Sequence, residues 1–120
     1  MMAVVNRVGE LVLEKRGVEV VALDLRGIYD SADYFLIATG NSDVQVKAIA
    51  DHIVAELKLE DLRPDHVEGL ESGRWVLIDY VDVVVHIFHP VERDFYQLDV
   101  LWGDAPKSVF DSGVAKGYEG

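Results

Sequence analysis

The chain has 120 residues, which is enough for one hydrophobic core but not for two. Half of the residues are hydrophobic and 28% are charged, a composition typical of a globular domain and unlike that of a disordered chain. The net charge of −11 argues against a surface that follows nucleic-acid phosphates, so any charged partner is expected to be basic.

Cysteine is absent, which excludes disulfides and thiolate metal sites and fits a reducing compartment. Residues 1–16 show no basic leader followed by an apolar segment, and no run of 18 apolar residues occurs. We therefore expect a cytoplasmic protein without a membrane span.

The first third of the chain predicts a helix and two strands. Residues 3–16 form an amphipathic helix with its apolar side chains at helical spacing, and Gly17 follows its last turn. Residues 18–25 alternate loosely and predict a strand that a turn closes. Residues 34–39 are almost continuously apolar, the pattern of a central strand buried on both faces.

The start of the second helix is marked by a capping box. Ser42 stands three residues before Gln45, so its hydroxyl can accept a hydrogen bond from the Gln45 amide. The apolar spacing predicts that this helix ends near Leu59. A strand, a glycine turn and a capped helix in succession make a βα unit, so part of the sheet should be parallel.

Residues 66–70 predict a short strand, and residues 74–90 predict a β-hairpin with its turn at Tyr80 and Val81. That turn would place Asp79 opposite Asp82 and Trp75 opposite His86. Neither turn residue favours positive φ, so a longer bulged connection remains an alternative. A slip of one residue would exchange the two faces.

The two faces of this hairpin differ in chemistry. One face is entirely β-branched and belongs to the core: Val76, Ile78, Val83, Val85 and Ile87. The other face carries apolar and ring-bearing side chains with the two carboxylates at its margin: Trp75, Leu77, Val84, His86 and Phe88. Such a face is either covered by a helix or is a docking site, and periodicity alone favours the covered alternative.

Residues 91–101 predict a final helix that Pro90 opens, with a buried stripe formed by Val91, Phe95, Leu98 and Leu101 or Trp102. Residues 103–120 lack sustained periodicity. We expect one compact domain at 1–105 and a flexible tail at 106–120.

Candidate chemistry is sparse. Gly40 and Ser42 could form an anion site at a helix start, although a capped helix explains them fully. Asp79 and Asp82 could share a divalent cation, although two acids at a turn are more often solvated. The four histidines lack a zinc-binding spacing, and no serine follows a nucleophile pattern. The sequence predicts no catalytic group, no cofactor and no metal.

Several separate segments, in their order along the chain, resemble the ribosomal silencing factor family, also called Iojap-like. The matching segments are residues 33–42, 48–53, 68–70, 75–80, 82–88 and 93–98, followed by Leu101 and Trp102. The likeness covers about residues 3–105. The resemblance implies an α/β fold, with a mixed β-sheet of about five strands, flanking helices and a nucleotidyltransferase-like shape without that activity.

The resemblance also implies a function. Family members bind the large ribosomal subunit through its ribosomal protein number fourteen, block association with the small subunit and so repress translation, notably when nutrients run short. The positions that match the family's contact segment and last helix are Trp75, Leu77, Asp79, Tyr80, Asp82, Arg93 and Tyr96. The family usually has glycine where this chain has Val81, which puts the aim of Asp82 in doubt.

Two other hypotheses stay open beside this one. A divergent nucleotidyltransferase would use Gly40, Ser42, Asp79 and Asp82 to bind a nucleotide. A self-associating domain would form a homodimer through its ring-bearing face when no ribosome is present. The acidic balance predicts little direct contact with rRNA and none with DNA or membranes.

Overall fold

The computed structural model describes residues 2–110, which form one mixed sheet with helices on both of its faces. The helices are Met2–Glu14 (α1), Asp43–Leu59 (α2), Pro90–Tyr96 (α3) and Leu98–Leu101 (α4). The strands are Val18–Asp24 (β1), Tyr34–Thr39 (β2), His66–Glu68 (β3), Trp75–Asp79 (β4), Val83–Phe88 (β5) and Lys107–Phe110 (β6).

The sheet has the strand order β3-β4-β5-β2-β1-β6. The central pair β2 and β5 is parallel, and every other neighbouring pair is antiparallel. The predicted α/β class and mixed sheet are confirmed, with six strands instead of about five. All six residues of β2 are buried, as expected for a strand covered on both faces.

Helices α1 and α2 cover one face of the sheet and enclose the larger core. The predicted capping box of α2 is present, since the Gln45 amide donates to Ser42 Oγ at 3.1 Å. The Gln45 side chain accepts from the Asn41 amide and donates to the carbonyl oxygens of Lys15 and Arg16. One side chain therefore fixes the start of α2 against the end of α1.

The hairpin formed by β4 and β5 has the predicted faces but a different register. Trp75 lies opposite Phe88, and Asp79 lies opposite Val84. The predicted turn was wrong, because the buried Tyr80 stays in the ladder and donates from its amide to the Val83 carbonyl at 2.9 Å. The turn therefore moves to Val81 and Asp82. A shift of two residues keeps every side chain on its predicted face.

The predicted last helix is interrupted. Gln97 has φ 48° and ψ 53°, a left-handed conformation that separates α3 from α4. The predicted buried stripe was wrong: Val91, Phe95 and Leu101 are 59%, 76% and 70% exposed, and only Leu98 and Trp102 are half-buried. Instead of a buried stripe, hydrogen bonds of Arg93 and the contact of Tyr96 with Trp75 hold α3 on the sheet.

The predicted loose tail was wrong for its first part. Residues 107–110 form β6, an edge strand that pairs with β1. A Cβ at Gly9 would lie 2.6 Å from the Phe110 ring, so α1 accommodates this ring because position 9 has no side chain. The rest of the predicted tail, residues 111–120, lies outside the described residues.

Candidate functional site

The turn of the β4–β5 hairpin is tight and held by a carboxylate. The Asp82 amide donates to the Tyr80 carbonyl at 2.9 Å, and Asp79 Oδ1 accepts from the Val81 amide at 2.7 Å. Val81 takes φ 74°, a conformation that glycine adopts without strain and a β-branched residue does not. The conformation of this turn leaves the side chain of Asp82 exposed.

The ring-bearing face of the hairpin is partly covered by α3. Trp75 stacks on Phe88, with ring centroids 4.9 Å apart, and contacts Tyr96 at 4.7 Å. Trp75 Nε1 donates to His86 Nδ1 at 3.2 Å, so a neutral His86 carries its proton on Nε2. Burial lowers the pKa of His86 to about 4, and the imidazole is uncharged at neutral pH.

The other half of this face is open. Leu77 and Val84 are half-buried, and they line an open depression of about 310 Å³ together with Phe35, Tyr29 and His86. Trp102, which directly follows α4, borders this region, and its ring lies 5.0 Å from that of Tyr29. The face is therefore neither sealed beneath a helix nor fully exposed. Its Trp75 end is covered, and its Asp79 end is accessible.

Of the predicted contact residues, Tyr80 is buried, and Arg93 is half-buried and hydrogen-bonded to the sheet. Tyr80 is only 7% exposed and packs into the larger core, where burial raises its pKa to about 12. Arg93 donates from Nη1 to the Glu19 carbonyl and to Thr39 Oγ1, both at 2.9 Å. Arg93 therefore ties α3 to the edges of β1 and β2. Both side chains make contacts within the chain, and neither is fully exposed.

An acidic margin completes the site, and sequence reasoning missed most of it. Ligand atoms of Asp65, His66 and Asp79 lie within 4.8 Å of one another, and His66 Nε2 lies 2.6 Å from Glu68 Oε2. These groups meet because β3 pairs with β4 so that His66 faces Asp79 and Glu68 faces Leu77. Only the alternation in residues 66–68 hinted at this, and the register of β3 was needed to use it.

The sequence predicts no metal site, although Asp79 and Asp82 could in principle share a cation, and this margin bears on that pair. The donor group around Asp79 is completed by Asp65 and His66, and Asp82 does not belong to it. Carboxylate and imidazole donors suit a divalent cation, although exposed acidic side chains often cluster without one.

The residues of the nucleotidyltransferase hypothesis do not converge. The Gly40 amide donates to the Phe88 carbonyl at the end of β5. The backbone carbonyl of Asp82 accepts from the Tyr34 amide at the start of β2. These two places are separated by the length of a six-residue strand, roughly 20 Å. Gly40 and Ser42 therefore lie at one end of the sheet, and Asp79 and Asp82 lie at the other.

Fold and site together define a small α/β domain whose most distinctive surface is a ring-bearing sheet face with an acidic margin. Among residues 2–110, no helix has the length and apolarity that crossing a membrane requires. The chain belongs to the ribosomal silencing factor family: the family model described as "Ribosomal silencing factor during starvation" matches residues 1–118.

Individual relatives agree with this assignment. The chain is 48% identical to the ribosomal silencing factor of Bacillus subtilis over 101 residues, which are 84% of this chain and 86% of that protein. A crystal structure of a Chromobacterium violaceum protein shares the fold with a TM-score of 0.81 and 34% identity, covering 99% of both chains. The mouse "Mitochondrial assembly of ribosomal large subunit protein 1" is 32% identical over 73 residues, 58% of this chain and 32% of that protein.

Proposed function

We propose that this chain binds the large ribosomal subunit through its ribosomal protein number fourteen, blocks association with the small subunit and so represses translation in the cytoplasm. The observation that carries the proposal is the match of the silencing-factor family model to residues 1–118. The mouse relative, whose name refers to the ribosomal large subunit, supports the choice of subunit.

The proposed contact surface consists of those side chains on or beside the ring-bearing face that stay at least partly exposed. Trp75, Leu77, Asp79, Asp82 and Tyr96 would touch the partner, because each of them is half-buried or exposed on or beside the β4–β5 hairpin. Tyr80 and Arg93 would act indirectly, Tyr80 by fixing the turn and Arg93 by fixing α3. A few central side chains usually supply most of the affinity of such a surface.

The charge of the chain selects the kind of partner. With a net charge of −11 and a carboxylate margin, the face would be repelled by rRNA phosphates. It would instead attract the basic side chains of a ribosomal protein, with Asp79 and Asp82 guiding the approach. Occupying the joining surface requires no catalysis, so the proposal assigns no enzymatic role to this chain.

Sedimentation tests the proposal directly. The chain is mixed with isolated large subunits, isolated small subunits or joined ribosomes and then centrifuged through a sucrose gradient. We expect it to travel with large subunits only and to reduce the yield of joined ribosomes when it is added before the small subunit. Normal joining in the presence of saturating protein would contradict the proposal.

Replacing Trp75 tests the contact surface. We expect Trp75→Ala to weaken binding to large subunits by at least about 2 kcal/mol, the loss typical of a central aromatic residue. Trp75 also stacks on Phe88, so folding stability should fall as well. Phe110→Ala is the control, because Phe110 is also a half-buried ring but packs against α1, on the opposite face of the sheet. Equal loss of binding by both variants would show that packing, and not contact, is responsible.

A titration separates the proposal from the nucleotidyltransferase alternative. Saturable micromolar binding of a nucleoside triphosphate with magnesium would favour the alternative. We expect no such binding, because Ser42 and Asp82 lie at opposite ends of the sheet.

We also propose that the free chain can form a homodimer. Helices α3 and α4 expose four large apolar side chains beside the ring-bearing face: Val91, Phe95, Val100 and Leu101. Large apolar side chains exposed on two adjacent short helices favour association between copies. Light scattering across a dilution series should show a mass that rises with concentration, and Phe95→Ser should abolish the rise. A constant monomer mass would contradict the homodimer.

A further inference from the structure

The open depression on the ring-bearing face has apolar walls and an acidic rim. Leu77 and Val84 form neighbouring walls on β4 and β5, and the rings of Tyr29 and Phe35 line the space beside them. The volume of about 310 Å³ is enough for one long side chain of a partner. The walls alone would accept any apolar group, so the rim has to define the occupant.

The rim is negatively charged and lacks an internal cation. Glu68 and Asp79 both line the depression, and Asp65 lies within 4.8 Å of the Asp79 carboxylate. His66 contacts Glu68, but within residues 2–110 no Lys or Arg forms an ion pair with any of these three carboxylates. The rim would repel an anionic occupant, and a cationic occupant would relieve the repulsion among these carboxylates.

The bottom of the depression does not oppose a cation. His86 lines it, is 4% exposed and is neutral at pH 7, because burial holds its pKa near 4. Its Nδ1 accepts from Trp75, and its Nε2–H finds no acceptor among the described residues. Nε2 is itself shielded from solvent, so the ring offers the depression an uncharged surface and no accessible donor.

We propose that the depression binds the side chain of an arginine of the protein partner, with its methylene stem on Leu77 and Val84 and its guanidinium between Glu68 and Asp79. Arginine fits better than lysine, because a guanidinium is weakly hydrated, stacks on rings such as Tyr29 and bonds carboxylates through two N–H groups. The inference rests on the proposed function, since it names the group on a basic ribosomal protein that this face recognises.

The first test uses the free chain and no ribosome. The full chain, labelled in its Leu and Val methyl groups, is titrated with N-acetyl-arginine methylamide, with the lysine analogue and with the citrulline analogue. Citrulline has nearly the shape of arginine without its charge. We expect saturable shifts of the Leu77 and Val84 methyl signals with arginine, binding at least about threefold weaker with lysine, and no saturable shifts with citrulline. Equal shifts from arginine and citrulline, or none from either, overturn the proposal.

The second test measures binding to large subunits. Glu68→Gln removes one rim charge and should weaken binding at least about threefold. Asp51→Asn makes the same charge change at an exposed position of α2, on the opposite face of the sheet, and should have a smaller effect. A Glu68→Gln variant that binds like Asp51→Asn overturns the role of the depression in docking. If wild type itself does not bind large subunits, the proposed function fails, and the arginine titration still decides whether the depression binds arginine.

Discussion

At the scale of single residues, Val81 is the clearest case of a side chain at odds with its backbone. Its φ of 74° carries a steric cost of about 1–2 kcal/mol for a residue with a Cβ. Glycine removes this cost but gives the unfolded chain more freedom, which offsets about 0.5–1 kcal/mol. We therefore expect Val81→Gly to raise the free energy of unfolding by about 0.5–1 kcal/mol.

Urea denaturation of the two proteins checks this expectation. Val44→Gly is the matched control, because Val44 is also exposed but lies in the first turn of α2, outside the residues with positive φ. There glycine should destabilise the protein, by up to about 1 kcal/mol. A Val81→Gly variant that is less stable than wild type would show that the turn tolerates valine without strain.

His86 makes the stability of the fold depend on pH. Its pKa is about 4 in the folded protein and 6.5 in a model peptide, so the unfolded chain takes up this proton first. The contribution of neutral His86 is complete above about pH 6.5 and is lost as the pH falls towards 4, up to about 3 kcal/mol. Denaturation at several pH values should show His86→Phe losing less stability than wild type over this window. Parallel curves would contradict the burial of a neutral imidazole.

At the scale of elements, the packing of β6 against α1 depends on glycine at position 9. A Cβ at Gly9 would lie 2.6 Å from the Phe110 ring, so Gly9→Ala should displace this ring and destabilise the protein. In a Phe110→Ala background the ring is gone, and Gly9→Ala should then stabilise α1 by about 0.5–1 kcal/mol. The four proteins of this double-mutant cycle are compared by urea denaturation. An effect of Gly9→Ala with the same sign in both backgrounds would contradict the contact.

The elements that could be predicted from sequence are those fixed by local signals. Ser42 and Gln45 marked the start of α2, and the β-branched residues of β4 and β5 identified the face that belongs to the core. The register of the hairpin could not be read this way, because it depends on the burial of Tyr80. The break at Gln97 and the exposure of Phe95 were missed because α3 is held by the contacts of Arg93, which join positions distant in sequence.

The candidate site was only partly visible in the sequence for the same reason. Trp75, Leu77 and Asp79 lie on one strand, so alternation alone placed them on one face. Asp65 and His66 join them only through the pairing of β3 with β4. A three-residue edge strand carries too little pattern to set its own register. The acidic rim therefore became apparent only once the sheet was assembled.

At the scale of the whole molecule, the acidic charge should act on the rate of association. Carboxylates spread over the surface attract a basic partner over about a Debye length, whereas the close contacts of the ring-bearing face act after docking. We expect the association rate constant with large subunits to fall roughly tenfold between about 50 and about 300 mM KCl, while the dissociation rate constant changes much less.

Stopped-flow or surface-based kinetics on wild type, Asp82→Asn and Asp51→Asn would measure both constants. Asp82 is exposed at the hairpin turn beside the proposed contact, so its neutralisation should slow association and flatten the salt dependence. Asp51 is exposed on the α2 side, and its neutralisation should change both quantities less, because that side would face away from the partner. Equal effects of the two variants would mean that the net charge, and not the acidic margin of this face, attracts the partner. An association rate that does not depend on salt would exclude electrostatic guidance altogether.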